Sequence, residues 1–352
     1  MYLLLFRGMF WRIGSLLQKP SGPAARARVA VVIPARDESD VIGQAVASIR
    51  AQQFDGEIII FVTDDNSSDA TAEIAAAQGA TVIQAGPLPP GWTGKLWAAE
   101  QGVKAAARTD PDYLLLTDAD IVHGSTSIRD LIARNVPLAS VMVKLRCDSL
   151  PEQLLIPPFV FFFFKLYPPM WIADPRAKTA GAAGGCILIR REMLDKIGGI
   201  EAIRNELIDD CALARAVKTH GPIWLGMSSD TQSIRPYATF GPIWNMVART
   251  AFTQLRHSPV VLVGAIAGMF FTYLAPPIAT LTGSWIGALT WIAMAAAYAP
   301  MTRFYGQPII ASFLLPVAAL FYSGATIHSA IRYWLGAGGQ WKGRVQDQKS
   351  NQ

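Results

Sequence analysis

The chain has 352 residues, 51% of them hydrophobic and 16% charged, with a formal net charge of +5. That balance is too apolar for an ordinary soluble enzyme, and lysines and arginines dispersed without interleaved aromatics argue against nucleic acid as a partner. Three distant cysteines (Cys147, Cys186, Cys211) with no CxxC, and four histidines without paired spacing, suggest neither a disulfide framework nor a zinc site.

In chain order, Met1–Leu17 is apolar but interrupted by Arg7 and Arg12, which predicts an interfacial anchor; Pro20–Pro23 reads as the start of a linker, so residues 1–27 stand apart. Arg28–Pro34 (RVAVVIP) predicts a buried strand. Asp40–Gln53 has helical spacing, with Ile42, Ala45, Val46 and Ile49 on one face. Glu57–Thr63 predicts a second strand, Ser68 and Asp69 cap a helix running to about Ala77, and Thr81–Gln84 predicts a short strand. The Gly/Pro-rich loop 86–94 leads to a helix over Lys95–Ala107 and then to the strand beginning at Tyr113. Strands alternating with helices imply an α/β domain with a mainly parallel sheet and right-handed crossovers.

Leu154–Ala173 is as apolar as a membrane span but holds four prolines and Lys165, and is read as a broken segment lying in the interface; a buried core hairpin is the alternative. The run Gly181–Cys186 precedes a strand at Ile187–Ile189 and a helix at Arg191–Ile197. Residues 28–235 thus form one predicted domain. An amphipathic helix follows within 236–258, with Trp244, Val247, Ala251 and Leu255 on one face. From Ser258 to Ile331 Arg303 is the sole charged residue, which predicts membrane-spanning or re-entrant helices over 259–335 before a basic tail, 336–352. Positive-inside counting puts Arg249, Arg256 and Arg303 in the cytoplasm. Three crossings would leave Arg332, Lys342, Arg344 and Lys349 outside, so a re-entrant segment is expected at Pro276–Pro277 or Trp285–Ala299.

Acidic clusters follow strand ends or helix starts: Asp37/Glu38, Asp64/Asp65, Asp118/Asp120 and Asp209/Asp210. Each alone reads as a solvated turn or a helix cap. Together, at the carboxyl edge of an α/β sheet, they mark a ligand site. Asp118 and Asp120, as alternate residues of an extended chain, would face one site and suit Mg²⁺ or Mn²⁺, which hold phosphates. Lys95 adds a cation on that edge. The loop before it is not a Walker A motif, and the lack of GxGxxG argues against a dinucleotide cofactor.

The motifs Val31–Glu38 (VVIPARDE), Thr63–Asp69 (TDDNSSD), Gly94-Lys95, Asp118-Ala-Asp120, Gly184-Gly-Cys186 and Asp209–Leu213 (DDCAL) resemble the family 2 glycosyltransferases of GT-A fold. The three apolar segments behind them look like the ceramide-glucosyltransferase-like members. The PARDE, DAD and GGC phrasing together resembles the bacterial hopene-associated glycosyltransferases, the hopanoid-biosynthesis branch. The resemblance implies that Asp37 and Asp65, in loops that include Pro34 and Glu38, bind the uridine part of a UDP-sugar, with Lys95 nearby. It implies that Asp118 and especially Asp120 hold Mg²⁺ or Mn²⁺ on the diphosphate. Asp210 would be the general base, with Gly184, Gly185, Cys186 and Asp209 on the acceptor side. Arg256, in Thr253-Gln-Leu-Arg256-His257, corresponds to the arginine of the family's interfacial Gln/Arg-x-x-Arg-Trp motif and would contact the diphosphate; His stands where that motif has Trp.

The expected protein is an inverting, multi-pass glycosyltransferase of the bacterial inner membrane, its catalytic domain facing the cytoplasm. It would move one sugar from a UDP-sugar to a lipid, a hopanoid by the resemblance, which enters along Leu154–Ala173. The rivals are a processive polysaccharide synthase, a catalytically inactive GT-A scaffold and a membrane phosphotransferase. The reading requires Asp65, Asp120 and Asp210 to gather around one divalent cation.

Overall fold

A computed structural model describes residues 2–17, 20 and 25–336, together with the backbone at 340–341 and 344–345. Residues 21–24 of the expected linker and most of the expected tail, Lys342 and Lys349 included, lie outside the described residues. The chain runs α1 (Tyr2–Leu5), β1 (Arg28–Ala35), α2 (Ile42–Arg50), β2 (Glu57–Asp64), α3 (Thr71–Ala77), β3 (Thr81–Gln84), α4 (Gly94–Ala107), β4 (Tyr113–Thr117), β5 (Ile121–Val122), α5 (Ser127–Ile132) and β6 (Leu138–Lys144). Then come α6 (Leu150–Leu166), α7 (Pro169–Ala173), β7 (Cys186–Arg190), α8 (Arg191–Lys196), α9 (Asp209–Lys218) and β8 (Ile223–Ser233). The helices α10 (Phe240–Gln254), α11 (Pro259–Met269), α12 (Ala275–Leu281), α13 (Trp285–Phe304) and α14 (Leu315–Trp334) follow.

Contacts divide these elements into two units, one of Ser15–Leu145 and Tyr167–Arg235, the other of Met1–Gly14, Arg146–Leu166 and Pro236–Gln352. Residues 146–166, which the linear reading placed inside the domain 28–235, cluster with the C-terminal helices.

The first unit is an α/β sheet of order β3-β2-β1-β4-β7-β6-β8-β5. Strands β1 to β4 are parallel, as the alternating pattern predicts, and continuous β-branched runs build them because both faces are covered. One face packs Val29, Val31 and Ile33 against Ile42, Val46 and Ile49 of α2. On α4, a Cβ at Gly102 would stand 2.6 Å from both Val32 and Thr63, so only glycine lets that helix lie this close to β1 and β2. The parallel register sets Ala35 beside Asp64 and Asp64 beside Gln84, so these strands all end along one edge.

Beyond β4 the sheet is mixed. β7 is antiparallel to both β4 and β6, while β6 and β8 pair in parallel. The chain re-enters the sheet at its carboxyl edge, with Cys186 beside Thr117, and from there a strand can only run back down. Strands β5, β6 and β8 and helix α5 have no counterpart in the sequence reading.

In the second unit α6 continues through Pro157 and Pro158, so that pair does not interrupt it; Leu154–Ala173 is broken as expected at the other pair, where α6 ends at Leu166 and α7 starts afresh at Pro169. Pro157 has no N–H for the carbonyl of Gln153, and Gln307 Nε2 donates to that oxygen instead, at 2.6 Å; Tyr322 Oη reaches the next turn at Leu155 O, also 2.6 Å. Phe161 packs against Phe10 and Tyr298, and Phe162 against Tyr273 and Tyr322. On α10 the buried residues are Ile243, Ala248 and Phe252, a face rotated from the expected one, because Trp244 instead donates to His328 Nδ1 at 2.7 Å.

Three segments are long and apolar enough to cross a membrane: Leu150–Ala173, Pro259–Leu281 and Ile309–Trp334. The Trp285–Ala299 stretch lies in α13, which is not one of the three. Pro276 and Pro277 open α12 directly after a π-helical turn, Phe270–Leu274.

Candidate active site

At the carboxyl edge of the sheet the acidic side chains form two groups, each around a basic one. In the first, Lys95 leaves the opening turn of α4, where Thr93 Oγ1 accepts from Leu96 N as the N-cap. Its Nζ lies 2.8 Å from Asp118 and 3.6 Å from Asp209. Burial works against the ammonium, but Asp118, Asp209 and then Asp210 outweigh it and hold Lys95 charged well above a lysine's ordinary range.

Asp210 stands in the first turn of α9 and accepts two backbone N–H bonds, from Gly184 at 2.9 Å and Cys211 at 2.7 Å. A Cβ at Gly184 would meet Asp210 Oδ2 at 3.3 Å, a squeeze that glycine avoids. Partial burial, then the charge of Asp209, push the Asp210 carboxyl up to about 6 against the opposing pull of Lys95 and the two N–H donors. A carboxylate poised there can accept a proton near neutral pH. Val32, Leu116, Ile187, Ile200 and Leu213 give the cleft beside this first group an apolar wall, with Lys95, Asp118, Asp209, Asp210 and Pro34 also lining it.

The second group centres on Arg235, just past β8. Its Nη2 lies 2.8 Å from each oxygen of Glu38 and 3.5 Å from Asp120, which also accepts from Ser233 Oγ. Sequence reasoning missed Ser233 and Arg235, which meet Asp120 only through the pairing of β5 with β8. Asp118 and Asp120 do not sit on an extended strand as expected. β4 stops at Thr117, and the two carboxylates occupy the turn before β5, so alternation does not govern their directions.

The loops after β1 and β2 are laced together. Asp37, at φ 50°, accepts from Ser68 N at 2.7 Å, and Ser67 Oγ accepts from Asp37 N at 3.0 Å. Asp65 is 1% exposed and pairs with Arg36 at 3.3 Å. Gly185 O accepts from Thr117 Oγ1 at 2.7 Å. Burial raises the Cys186 thiol to about 12, so it packs as an inert side chain. His123 is likewise structural: burial holds it neutral down to about 4, between Thr117 and Ser127. Arg256 belongs to the helical unit and is exposed at φ 54° just after α10; His257 beside it stacks on Tyr333 at 4.0 Å.

Among the described residues no three Asp, Glu, His or Cys side chains form a ready-made metal cluster; Asp65 follows β2, Asp120 follows β4 and Asp210 opens α9. Asp118 and Asp120 still fit Mg²⁺ or Mn²⁺, because such ions take one or two protein carboxylates and complete their shell with phosphate oxygens and water. Five carboxylates (Glu38, Asp118, Asp120, Asp209, Asp210) beside two basic side chains, Lys95 and Arg235, also leave an excess of negative charge. Ser233→Ala, which frees the Asp120 carboxylate to swing, is expected to weaken Mn²⁺ binding about 10–100-fold in a titration of the purified protein.

A family model described as "Glycosyltransferase like family 2" matches residues 26–225. The 4,4'-diaponeurosporenoate glycosyltransferase of Staphylococcus aureus is 37% identical over 92 residues, 26% of this chain and 23% of that protein, so the match spans about a quarter of the relative's length. Among solved structures, the mannosyltransferase PcManGT of Pyrobaculum calidifontis, in complex with GDP-Man and Mn²⁺, superposes at a TM-score of 0.55 with 16% identity, covering 94% of each chain. A Mycobacterium tuberculosis glucosyl-3-phosphoglycerate synthase, in complex with Mn²⁺, UDP and glucosyl-3-phosphoglycerate, superposes at 0.39 with 22% identity, over 69% of this chain and 84% of the other.

Proposed function

The chain belongs to the glycosyltransferase-like family 2, and from that premise we propose that it moves a single sugar from a UDP-sugar to a hydroxyl of a membrane lipid, inverting the anomeric carbon. The observation that carries this reading is Asp210, a carboxylate held by two backbone N–H groups at a helix start and raised to about 6, in the same cleft as Lys95 and Asp118. A sugar transfer to a hydroxyl needs a base for the acceptor proton and positive charge for the leaving diphosphate. Asp210 takes the proton. Lys95 faces the diphosphate, and Asp37 and Asp65 hold the uridine. Asp118 and Asp120 bind Mg²⁺ or Mn²⁺, which when bound neutralises charge on the diphosphate.

Gly184, Gly185, Cys186 and Asp209 border the acceptor. A lipid acceptor is supported by the three apolar segments and by the relative, whose name describes a glycosyltransferase for a carotenoid-like acid. The resemblance of the PARDE, DAD and GGC motifs points further to a hopanoid, made at the cytoplasmic face of a bacterial inner membrane.

The test is to incubate purified protein with radiolabelled UDP-sugars and extracted membrane lipids, with and without EDTA. A labelled lipid carrying one sugar, lost on chelation and restored by Mn²⁺, is expected. Polymer instead of glycolipid, or no product from any donor, overturns the reading.

A further inference from the structure

The helical unit holds a pair of positive side chains for which no role has been given. Lys165, the penultimate residue of α6, places Nζ 3.1 Å from Tyr273 Oη and 3.7 Å from Met269 Sδ. The same ammonium lies over the rings of Phe162 at 4.9 Å and Tyr273 at 4.6 Å. All of these neighbours are neutral, and among the described residues no carboxylate pairs with Lys165. Arg7 reaches the same helix end, its Nε donating to Lys165 O at 3.0 Å and its Nη2 lying 3.4 Å from Leu166 O. The two positive charges are close enough to repel.

An ammonium sheltered among rings, with no anion beside it, is expensive. Cation–π contact and the negative end of α6 offset part of that cost. Arg7 already occupies the last carbonyls of the helix, however, and adds a like charge. An ordinary end-of-helix lysine would turn to those carbonyls or to water, whereas this one turns to a tyrosine hydroxyl. Tyr273 sits in the π-helical turn Phe270–Leu274, a departure from regular helix that often accompanies a binding site.

We propose that Lys165, Arg7 and Tyr273 form a binding site for the phosphate of an anionic phospholipid. The two cations supply the charge and the donors to phosphate oxygens, while Tyr273, whose side chain is buried, accepts from the Lys165 ammonium and holds it in place. The surroundings favour a lipid over a free ion: Phe6 is 67% and Phe271 70% exposed, giving apolar side chains for acyl chains to lie against. A basic pocket between membrane-associated helices is a known way of holding such headgroups. The occupant is distinct from the acceptor of the proposed transfer, and the site stands whether or not that reaction is correct.

The test uses the full-length protein in detergent, titrated with phosphatidylglycerol, phosphatidylcholine or inorganic phosphate. Thermal unfolding and native mass spectrometry are the readouts. Phosphatidylglycerol is expected to raise the melting temperature and to remain bound, whereas phosphatidylcholine and inorganic phosphate do neither. Lys165→Met and Arg7→Gln are each expected to weaken phosphatidylglycerol binding about fivefold, from roughly 1 kcal/mol per lost charge. Lys165→Arg keeps the charge and is expected to keep the binding, which separates loss of the site from loss of the fold. Equal shifts with phosphatidylglycerol and phosphatidylcholine, a shift with inorganic phosphate, or a folded Lys165→Met protein that binds like wild type would each overturn the proposal.

Discussion

An Asp210→Asn enzyme is expected to transfer sugar about 10²–10⁴-fold more slowly, the usual worth of a positioned general base. The loss should fall on kcat while donor affinity is kept, because the amide retains the shape of the side chain but cannot take the acceptor's proton. Wild-type kcat should fall as the pH drops through about 6, where Asp210 becomes protonated, and the variant should lack that limb. Stability should move the other way. A carboxyl raised in the folded state contributes stability that is complete below its unfolded value, 3.8, and is lost as pH rises through about 6. The asparagine variant never ionises, so its melting temperature should exceed that of wild type at pH 8 and lose that advantage at pH 4. A variant with unchanged kcat would remove Asp210 from the chemistry.

Replacing Lys95 by methionine is expected to have the second largest effect, and to act at two points. Asp118 and Asp209 lose the cation they share, and the leaving diphosphate loses a positive charge. Lys95 also lowers the Asp210 carboxyl, so its removal should move the acidic limb of the kcat–pH profile upward by about one unit, the low end of what a nearby opposite charge does. The shift in the limb separates this electrostatic role from simple loss of affinity, which would change KM at every pH alike. A lower kcat with the limb still near 6 would show that Lys95 serves the donor alone.

β1, β2 and β4 were legible because buried parallel strands need unbroken β-branched and aliphatic runs, and residues 28–34, 57–63 and 113–116 supply them. β8 was not legible. Its second half, Ser228–Ser233, is polar and holds its place by pairing, so no local pattern marks it. Strand direction was equally hidden: Ile187–Ile189 reads the same in either sense, and only the position of the loop before it makes β7 antiparallel. For the site, the residue types were readable one by one while their groupings were not. With Ala119 in a turn, Asp118 and Asp120 take different basic partners, Lys95 and Arg235, and Arg235 reaches Glu38 across 197 positions of chain. Pro157 misled for a different reason: the carbonyl it leaves without a helical donor is satisfied by Gln307, from a distant part of the sequence.

The reversal of β7 also assigns the enzyme's two halves to different stretches of polypeptide. Asp37, Asp65, Asp118 and Asp120, proposed for the nucleotide sugar and its metal, follow strands that leave the sheet at its upper rim, whereas Gly184 to Cys186 come from a connection that arrives there. The outer part of that connection, residues 174–178, is half-buried or exposed and can lengthen or change composition without disturbing the nucleotide loops, since residues 179–183 are tied down by Lys218 and Ser140 before β7 begins at Cys186. With the acceptor bordered by Gly184 to Cys186 as proposed, exchanging that stretch between relatives is expected to change the acceptor while the sugar donor is kept.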